Sequence, residues 1–361
     1  MFLHNLEIKQ FRCFTNKRFV FSKQFTLVIG DNGTGKTSLA EAVHYLCYMK
    51  SFRSTNIADL VEHDADSFFL KGMFTSDSFN NESHTIQVGY NNKKKAIKLD
   101  NKSVATYKEI FQIFQVITLL EEDIHLIKGY PGERRAFIDQ AALFLDQSYI
   151  DMYRNLKKIV QHRNALLHSH NVNELELEIW TEKLWHASLQ VKEQRKKVLI
   201  KIEKTINDLL QQYFENMYEV LFDYEAIAII SNEPFVLFKQ RLRSLFMQEK
   251  LLKRSLFGAH LDDFHIKIQD KKARFFASRG QQKLVSLLCK LSLINLAEQN
   301  SFLPVLIIDD FIADFDEIRL RNIIKLLTSC KNQVIIITPF YDFELKKIIE
   351  SVDPDVISMN R

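Results

Sequence analysis

The distribution of apolar and polar positions divides the chain into three parts. In the first 131 residues, short apolar runs with partial alternation predict β-strands. These predicted strands cover 2–8, 18–21, 25–29, 68–74, 84–90, 96–99 and 116–119. From 132 to 256 the apolar positions recur at helical spacing almost throughout. After Gly258, the pattern predicts helices at 281–300 and 317–328 and buried strands at 304–308 and 333–338.

This order predicts an α/β fold in which two parts of one lobe flank a helical insertion. The lobe would comprise 1–131 and 257–361, and residues 132–256 would form an inserted α-helical lobe. Two lobes agree with the length of 361 residues, which is long for a single hydrophobic core. The helical part carries no sustained a/d heptads, so a long coiled coil is not expected.

A cluster of glycines lies between a predicted strand and a predicted helix. Residues 30–37 read Gly-Asp-Asn-Gly-Thr-Gly-Lys-Thr and match the phosphate-binding P-loop pattern G-x-x-x-x-G-K-[ST]. Glycines let backbone N–H groups approach phosphate oxygens, while the lysine contacts the β- and γ-phosphates. The predicted nucleotide-binding residues are Gly30, Asp31, Asn32, Gly33, Thr34, Gly35, Lys36, Thr37 and Ser38. The alternative is a chance match in an ordinary strand–turn–helix.

An apolar strand over 305–308 is followed by two carboxylates, Asp309 and Asp310. This pattern is typical of the Walker B element. Asp309 would hold Mg²⁺, usually through water, together with the Thr37 hydroxyl. Asp310 would be the catalytic group that orients or deprotonates the attacking water. The alternative is a buried strand that ends in an acidic turn.

A second predicted phosphate site lies at the start of the helix after Ala277. Its residues are Ser278, Arg279, Gly280 and Gln281. Ser278 is a good N-cap, and a helix N-terminus presents free N–H groups and the positive end of its dipole. A second such site is explained by an ABC-type ATPase, in which this signature segment contacts the γ-phosphate bound to the opposite subunit. An ordinary helix N-cap remains the alternative.

Composition limits the remaining classes. With 46% hydrophobic and 26% charged residues, a globular protein with a sizeable interior is expected. No run approaches the ~20 apolar residues of a membrane span, and no signal-peptide pattern begins the chain. The four cysteines form no C-x-x-C pair, so zinc and disulfide frameworks are not expected and a reducing cytoplasm fits.

The net charge of +4 permits nucleic-acid binding without requiring it. Lys93, Lys94 and Lys95 would form a basic hairpin tip, and Lys192, 195–197 and Lys201 a basic helix stripe. For each, a solvated turn or helix face is the alternative. Arg134 and Arg135 begin a predicted helix, where positive charge is unfavourable. They would either contact DNA or brace the lobes against Asp139.

The chain resembles the RecF family of bacterial ATPases, relatives of the SMC heads, over nearly its whole length. The segments that carry the resemblance are 6–12, 50–53, 122–129, 133–139, 155–157, 161–167 and the signature at 278–281. The chain departs from the family pattern at Glu121, Ala259, Leu261, Ala313 and Phe315, which affects details of the dimer contacts and of the Gly258 loop. The nucleotide-binding residues are unaffected.

The resemblance implies a P-loop ABC-type ATPase head, with mixed sheets and flanking helices, and an inserted α-helical lobe. It implies ATP and Mg²⁺ as cofactors, an ATP-dependent homodimer, and binding to duplex, gapped or single-stranded DNA. ATP turnover would be slow, DNA-stimulated and used as a switch. RecR- and RecO-type mediators would be partners in replication, recombinational repair, recombinase loading and the SOS response, in the bacterial cytoplasm.

Other ABC-type assemblies fit the sequence less well. A transporter ATPase would have a histidine at the end of the last core strand, where this chain has Thr338. A nuclease-coupled defence ATPase would need a further acidic catalytic domain after Asp310, and only 51 residues follow it. A purely structural SMC-like linker is disfavoured because long heptad repeats are missing.

Overall fold

The computed structural model describes residues 1–75, 82–104, 107–169, 173–215, 217–229, 233–312, 315–339, 348 and 352–359. The chain divides into two compact units. Unit 1 comprises Met1–Asp123, Gln211–Glu215 and Leu293–Arg361, and unit 2 comprises Ile124–Leu210 and Asn216–Ser292. The predicted insertion at 132–256 lies in unit 2 apart from 211–215, and unit 2 also contains 257–292.

The strands are numbered in chain order. They are β1 (Phe2–Phe11), β2 (Phe14–Val20), β3 (Phe25–Gly30), β4 (Ser67–Thr75), β5 (Ser83–Asn91), β6 (Lys94–Leu99), β7 (Lys102–Ser103), β8 (Val116–Leu119), β9 (Val220–Glu225), β10 (Asp263–Ile268), β11 (Lys271–Lys272), β12 (Val305–Asp309), β13 (Val334–Thr338) and β14 (Asp355–Met359).

The α-helices are numbered in the same way. They are α1 (Lys36–Tyr48), α2 (Tyr107–Phe111), α3 (His125–Lys128), α4 (Pro131–Leu145), α5 (Tyr149–His168), α6 (Glu174–Tyr213), α7 (Phe235–Leu252), α8 (Ala273–Phe276), α9 (Arg279–Glu298) and α10 (Glu317–Ser329). Short 3-10 helices cover Ile57–Leu60 and Glu121–Ile124. Within these residues, no helix has the length and apolar character needed to cross a membrane.

A five-stranded parallel sheet in unit 1 positions the predicted nucleotide residues. Its strand order is β14-β3-β13-β12-β8. Every residue of β12 and β13 is buried, as expected for central parallel strands covered on both faces. Because parallel strands end at the same edge, Gly30 at the end of β3 and Asp309 at the end of β12 share one edge, with β13 between them.

The second sheet of unit 1 is antiparallel, with the order β2-β1-β4-β5-β6-β7. The predicted hairpin between β5 and β6 is present, and Asn92 and Lys93 take left-handed φ values of 48° and 63° at its turn. Helix α1 contacts strands of both sheets, which places it between them. Gln333, only 1% exposed, exchanges two hydrogen bonds with the backbone of Leu3 (2.7 and 3.0 Å) and joins β13 to β1.

Unit 2 is mainly helical but contains the three-stranded sheet β11-β10-β9. The prediction of helix almost throughout 132–256 was therefore wrong at β9. One edge of β9 pairs with β10, and side chains of α6 occupy the other. Asn207 binds both backbone groups of Val220 (2.8 and 2.9 Å), and Glu203 accepts from the N–H of Phe222 (2.7 Å). This strand exists because distant segments satisfy its backbone, which local periodicity does not reveal.

Candidate nucleotide-binding site

The P-loop connects β3 to α1 and requires glycine at two of its positions. Gly33 and Gly35 have φ values of 86° and 96°, in the left-handed region that side chains disfavour. A Cβ on Gly35 would also lie 2.6 Å from Cys13 Sγ. Gly35 is the N-cap of α1 and supplies no side-chain hydrogen bond to it, so the first N–H groups of α1 can serve a phosphate.

Lys36 points back into the loop that precedes it. Its ammonium donates to the carbonyl oxygens of Gly30 (2.6 Å) and Asp31 (2.7 Å), and the residue is 8% exposed. Both acceptors are neutral, so an anionic phosphate oxygen would be a stronger acceptor for the same N–H groups. The ammonium group of Lys36 therefore lies against the backbone of the glycine-rich loop.

Asp309 is a buried carboxylate at the same sheet edge. Its pKa is raised to about 6, mainly by burial and also by the nearby charge of Asp310, whereas the Thr37 hydroxyl bond and the Lys36 charge oppose the rise. A carboxylate with a raised pKa lacks sufficient positive charge nearby. An oxygen-binding divalent cation next to Thr37 would supply that charge, so the residues fit Mg²⁺.

The Thr37 hydroxyl and the Asp309 carboxylate do not form a complete metal site by themselves. In the described part of the chain, no group of three or more His, Cys, Asp or Glu side chains could hold a metal ion. Mg²⁺ usually keeps several waters and binds through one or two protein oxygens together with nucleotide phosphates. Thr37 and Asp309 would therefore hold it only as part of an ATP complex.

Asp310 differs from its neighbour in exposure and backbone conformation. Its φ of 52° ends β12, its N–H donates to the carbonyl of Ile337 (2.9 Å), and its side chain is exposed. The two adjacent carboxylates thus occupy different environments. The buried one suits a metal, and the solvent-facing one can hold a water molecule.

A buried ion pair beside the P-loop was not identified from the sequence. Glu41 of α1 is fully buried and accepts two hydrogen bonds from the Arg12 guanidinium, both 2.8 Å. Ser51 also donates to Glu41, and Arg53 lies 3.8 Å from it. Because Cys13, next to Arg12, faces Gly35, this network holds the β1–β2 turn against the loop. A lone glutamate within an apolar helix was the available signal.

The signature segment begins α9 in unit 2. Ser278 Oγ accepts from the N–H of Gln281 (3.3 Å), and Gln281 Oε1 accepts from the N–H of Ser278 (2.8 Å). This reciprocal pair is a capping box and confirms Ser278 as the N-cap. The cap occupies the N–H of Gln281, and Ser278 and Arg279 are exposed at the start of the helix.

The basic candidates separate by burial. Lys93, Lys94 and Lys95 are exposed at the hairpin tip. Arg134 is 3% exposed and binds Asp263 through two hydrogen bonds (2.7 and 2.8 Å), so the structure contradicts its assignment to DNA and pairs it with Asp263 instead of Asp139. Asp139 instead accepts from Arg195 (2.8 Å).

Three other basic candidates are also partly or completely buried. Arg135 is half-buried and donates to the carbonyl of Asp262 (3.1 Å). Arg195 and Lys192 are buried, which removes the predicted helix stripe from the surface at these two positions. Salt-bridge and backbone partners explain why charged residues are tolerated there.

Comparison with known proteins identifies relatives of the whole chain. A model of the RecF/RecN/SMC N-terminal domain matches residues 2–344. DNA replication and repair protein RecF of Citrifermentans bemidjiense is 30% identical over 367 residues, which cover 100% of this chain and 97% of the relative. The protein of the same name from Natranaerobius thermophilus is 30% identical over 95% of this chain and 92% of its own.

Solved structures agree with the sequence relatives. The recombination mediator protein RecF with ATP, from the RecFOR pathway, superposes with a TM-score of 0.83 at 26% identity, covering 94% of this chain and 92% of that one. An SMC head bound to the C-terminal winged-helix domain of ScpA gives a TM-score of 0.60 at 18% identity, which concerns the fold alone. The predicted ABC-type ATPase head with mixed sheets, flanking helices and an inserted helical lobe is confirmed.

Proposed function

This chain belongs to the RecF family, within the wider group of RecF, RecN and SMC ATPases, and we propose that it is an ATP-controlled DNA-binding protein of DNA replication and recombinational repair. The observation that carries the proposal is the edge of the parallel sheet, where Lys36, Thr37 and Asp309 surround a glycine-rich phosphate cradle. The RecF–ATP complex of similar fold supports ATP as the ligand.

Each residue of this edge has a separate task. Lys36 would bind the β- and γ-phosphates, while the N–H groups from Gly33 to Ser38 would surround their oxygens. Thr37 and Asp309 would hold Mg²⁺, which neutralises phosphate charge when it is bound. Asp310 would orient the attacking water and accept its proton. Its side chain is shorter than the glutamate of ABC transporters, so slow hydrolysis is expected.

The signature start would complete the site of a second subunit. Ser278, Arg279, Gly280 and Gln281 offer an exposed, capped helix start that can contact a γ-phosphate. ATP would then join two copies of the chain, and hydrolysis would release them. This makes the protein a switch whose dimeric state reports bound ATP.

The dimer would act on DNA and through other proteins. Duplex DNA and single-stranded gaps or junctions are the proposed sites, and promotion of recombinase loading and of the SOS response is the proposed outcome. RecR- and RecO-type mediators are the proposed partners, supported by the RecFOR pathway named for the similar structure. The proposed location of this activity is the bacterial cytoplasm, which the bacterial relatives support.

The trans-acting site can be tested with two substitutions. Ser278→Arg should still bind ATP but should not dimerise, because a bulky side chain blocks the partner's phosphate. Asp310→Asn should dimerise on ATP and remain dimeric, because Asp309 still holds Mg²⁺ while hydrolysis is lost. Light scattering with and without ATP–Mg²⁺ measures the dimeric state of both variants.

Exposed residues of the same types provide the controls. Ser244→Arg and Asp208→Asn change equivalent exposed side chains outside the proposed site and should behave like the unmodified protein. A monomeric Asp310→Asn protein, or normal dimerisation by Ser278→Arg, would contradict the shared-site mechanism.

A further inference from the structure

Two neighbouring aromatic side chains stand in solvent just before the signature segment. Among the phenylalanines that the structure describes, only Phe275 and Phe276 are exposed, by 71% and 68%. Both belong to the short helix α8, between β11 and α9. Exposing two adjacent phenyl rings costs hydrophobic free energy, so a contact that covers them is the expected compensation.

The surroundings of the two rings are strongly basic. Residues 271–283 read Lys-Lys-Ala-Arg-Phe-Phe-Ala-Ser-Arg-Gly-Gln-Gln-Lys and contain five cations and no carboxylate. Lys271 Nζ lies 5.7 Å from the ring centroid of Phe276, and Arg274 Cζ lies 5.7 Å from that of Phe275. In the described residues, neither cation forms an ion pair, so both remain available to an anion.

A small cavity adjoins the exposed ring of Phe275. Its volume is about 120 Å³. Leu126, Ile127 and Phe264 contribute apolar walls, and Lys272 and Arg274 contribute positive charge. A nucleotide complements this surface. Its aromatic base can lie on the apolar rings, and its phosphate can bind the neighbouring cations.

We propose that Phe275 and Phe276 form a stacking platform for unpaired DNA bases, with Lys271, Lys272 and Arg274 binding the adjoining phosphates. The proposal rests on the DNA-binding function proposed above and assigns it a single-strand contact. Bases in a duplex already stack on each other, whereas bases in a gap expose their faces. The platform would therefore favour gapped over continuous duplex DNA.

Charge argues for DNA as the occupant in preference to a protein. Protein interfaces are depleted of lysine, which this segment carries at Lys271 and Lys272, and two copies of this cationic segment would repel each other. Single-stranded nucleic acid supplies aromatic faces and negative charge together. A contact between subunits in the ATP-bound dimer is the competing explanation, because Ser278 follows within two residues.

The test compares a blunt duplex with the same duplex carrying a short single-stranded gap, both in ATP–Mg²⁺. Phe275→Ala/Phe276→Ala should lower affinity for gapped DNA about tenfold and leave blunt-duplex affinity unchanged. Phe275→Trp/Phe276→Trp should retain the preference for the gap. Met247→Ala/Leu251→Ala, an exposed apolar pair on α7, serves as the matched control and should have no effect on either DNA.

Fluorescence of 2-aminopurine in the gap gives a second readout. Stacking on the rings should quench the probe with the unmodified protein and not with the double alanine variant. Equal loss of affinity for both DNAs, unchanged gap preference, or loss of ATP-dependent dimerisation with normal gap binding would each overturn the platform. Failure of the unmodified protein to bind either DNA would instead overturn the proposed function.

Discussion

At the scale of single residues, Lys36 would combine phosphate binding with support of the P-loop backbone. Its ammonium donates hydrogen bonds to two backbone carbonyl groups of the loop. A bound phosphate would compete with these carbonyl groups for the same N–H groups. If Lys36 binds ATP as proposed, its side chain would need little rearrangement, because only its hydrogen-bond acceptors would change. Its contribution to the fold is limited to two hydrogen bonds with a solvent-facing loop, where water can replace it.

Lys36→Met should abolish ATP binding and leave the protein folded. The methionine retains the apolar stem of the side chain and removes the charge that the phosphates require. Nucleotide affinity by calorimetry and folding by circular dichroism measure the two effects. Lys17→Met, at an exposed lysine of β2, is the control and should bind ATP normally. ATP affinity that survives in folded Lys36→Met protein would contradict the assignment.

His260 shows how burial sets charge in unit 2. Its pKa is lowered to about 4, mainly by burial and also by the positive charges of Arg135, Arg163 and Arg195. Since the folded pKa lies below the unfolded value of about 6.5, the unfolded chain binds a proton first as the pH falls. The stability associated with neutral His260 is therefore complete above pH 6.5 and decreases between pH 6.5 and pH 4.

His260→Gln should reduce the acid sensitivity of unit 2. Between pH 7 and pH 4 the unmodified protein should lose about 3 kcal/mol more unfolding free energy than the variant. Both tryptophans, Trp180 and Trp185, belong to unit 2, so their fluorescence in urea titrations follows this unit. His168→Gln, at an exposed histidine of α5, should follow the unmodified protein at every pH. Parallel pH curves for His260→Gln and the unmodified protein would rule out this role.

At the scale of elements, one buried arginine joins three helices of unit 2. Arg163 of α5 donates to both oxygens of Glu249 on α7 (2.9 and 2.7 Å) and to Thr181 on α6 (3.0 Å). Both members of the ion pair are almost completely buried. The ring of Phe257 lies against the guanidinium, with its centroid 4.8 Å from Arg163 Cζ. Removal of one charge would leave the other buried without its partner.

Arg163→Leu should destabilise unit 2 by about 3–5 kcal/mol. Arg163→Leu combined with Glu249→Leu should be less destabilising than the single change, because no uncompensated charge remains. Urea unfolding followed by tryptophan fluorescence compares them. The exposed pair Lys239 and Glu178 is the control, since breaking it should cost less than about 1 kcal/mol. Additive effects of the two buried substitutions would show that the pair does not act as a unit.

The elements that could be predicted from sequence are those with local signals. The P-loop requires glycine and lysine at fixed spacing, and β12 and β13 are uninterrupted apolar runs. Strand β9 was missed because its partners are β10 and side chains of α6. Strand β14 was also not predicted. It packs closely against the P-loop, since a Cβ on Gly30 would lie 2.4 Å from the carbonyl oxygen of Met359.

Burial of charge was the other limit of sequence reasoning. Arg134, Arg195 and Lys192 have the composition of a DNA-binding surface, yet their partners are Asp263, Asp139 and the carbonyl of Ile229. Sequence shows where cations occur but does not show which of them have an internal partner. The exposure of Phe275 and Phe276 was likewise not predicted, because phenylalanine is usually buried and the sequence does not show which residues are exceptions.

At the scale of the whole molecule, DNA affinity depends on a modest excess of positive charge. The net charge is only +4, so attraction to DNA must come from local clusters such as the hairpin tip at 93–95. Affinity should fall with salt, with a log–log slope of about −0.9 for each phosphate contacted. The changes Lys93→Ala, Lys94→Ala and Lys95→Ala, made together, should make that slope shallower by about 0.9 for each lysine that contacts a phosphate.

Fluorescence anisotropy on one duplex across a salt series measures this slope. Changing the exposed Lys325 and Lys331 of unit 1 to alanine keeps the number of altered charges similar and should leave the slope nearly unchanged. An unaltered slope in the hairpin variant would show that the three lysines form a solvated turn and do not contact DNA phosphates. Affinity that does not vary with salt would exclude phosphate contact as the main attraction.

The parallel sheet has a consequence for synthesis on the ribosome. Strand β3, which leads into the P-loop, lies between β13 and β14, both from the far end of the chain. The clamp between Leu3 and Gln333 spans 330 residues, which takes roughly 15 to 65 seconds to translate. During that time the apolar strand β3 lacks both of its neighbouring strands, a state that favours aggregation. A chain whose translation stops early carries the P-loop sequence without the strands that flank β3, so we expect it not to enter the proposed ATP-dependent dimer or inactivate a full-length partner.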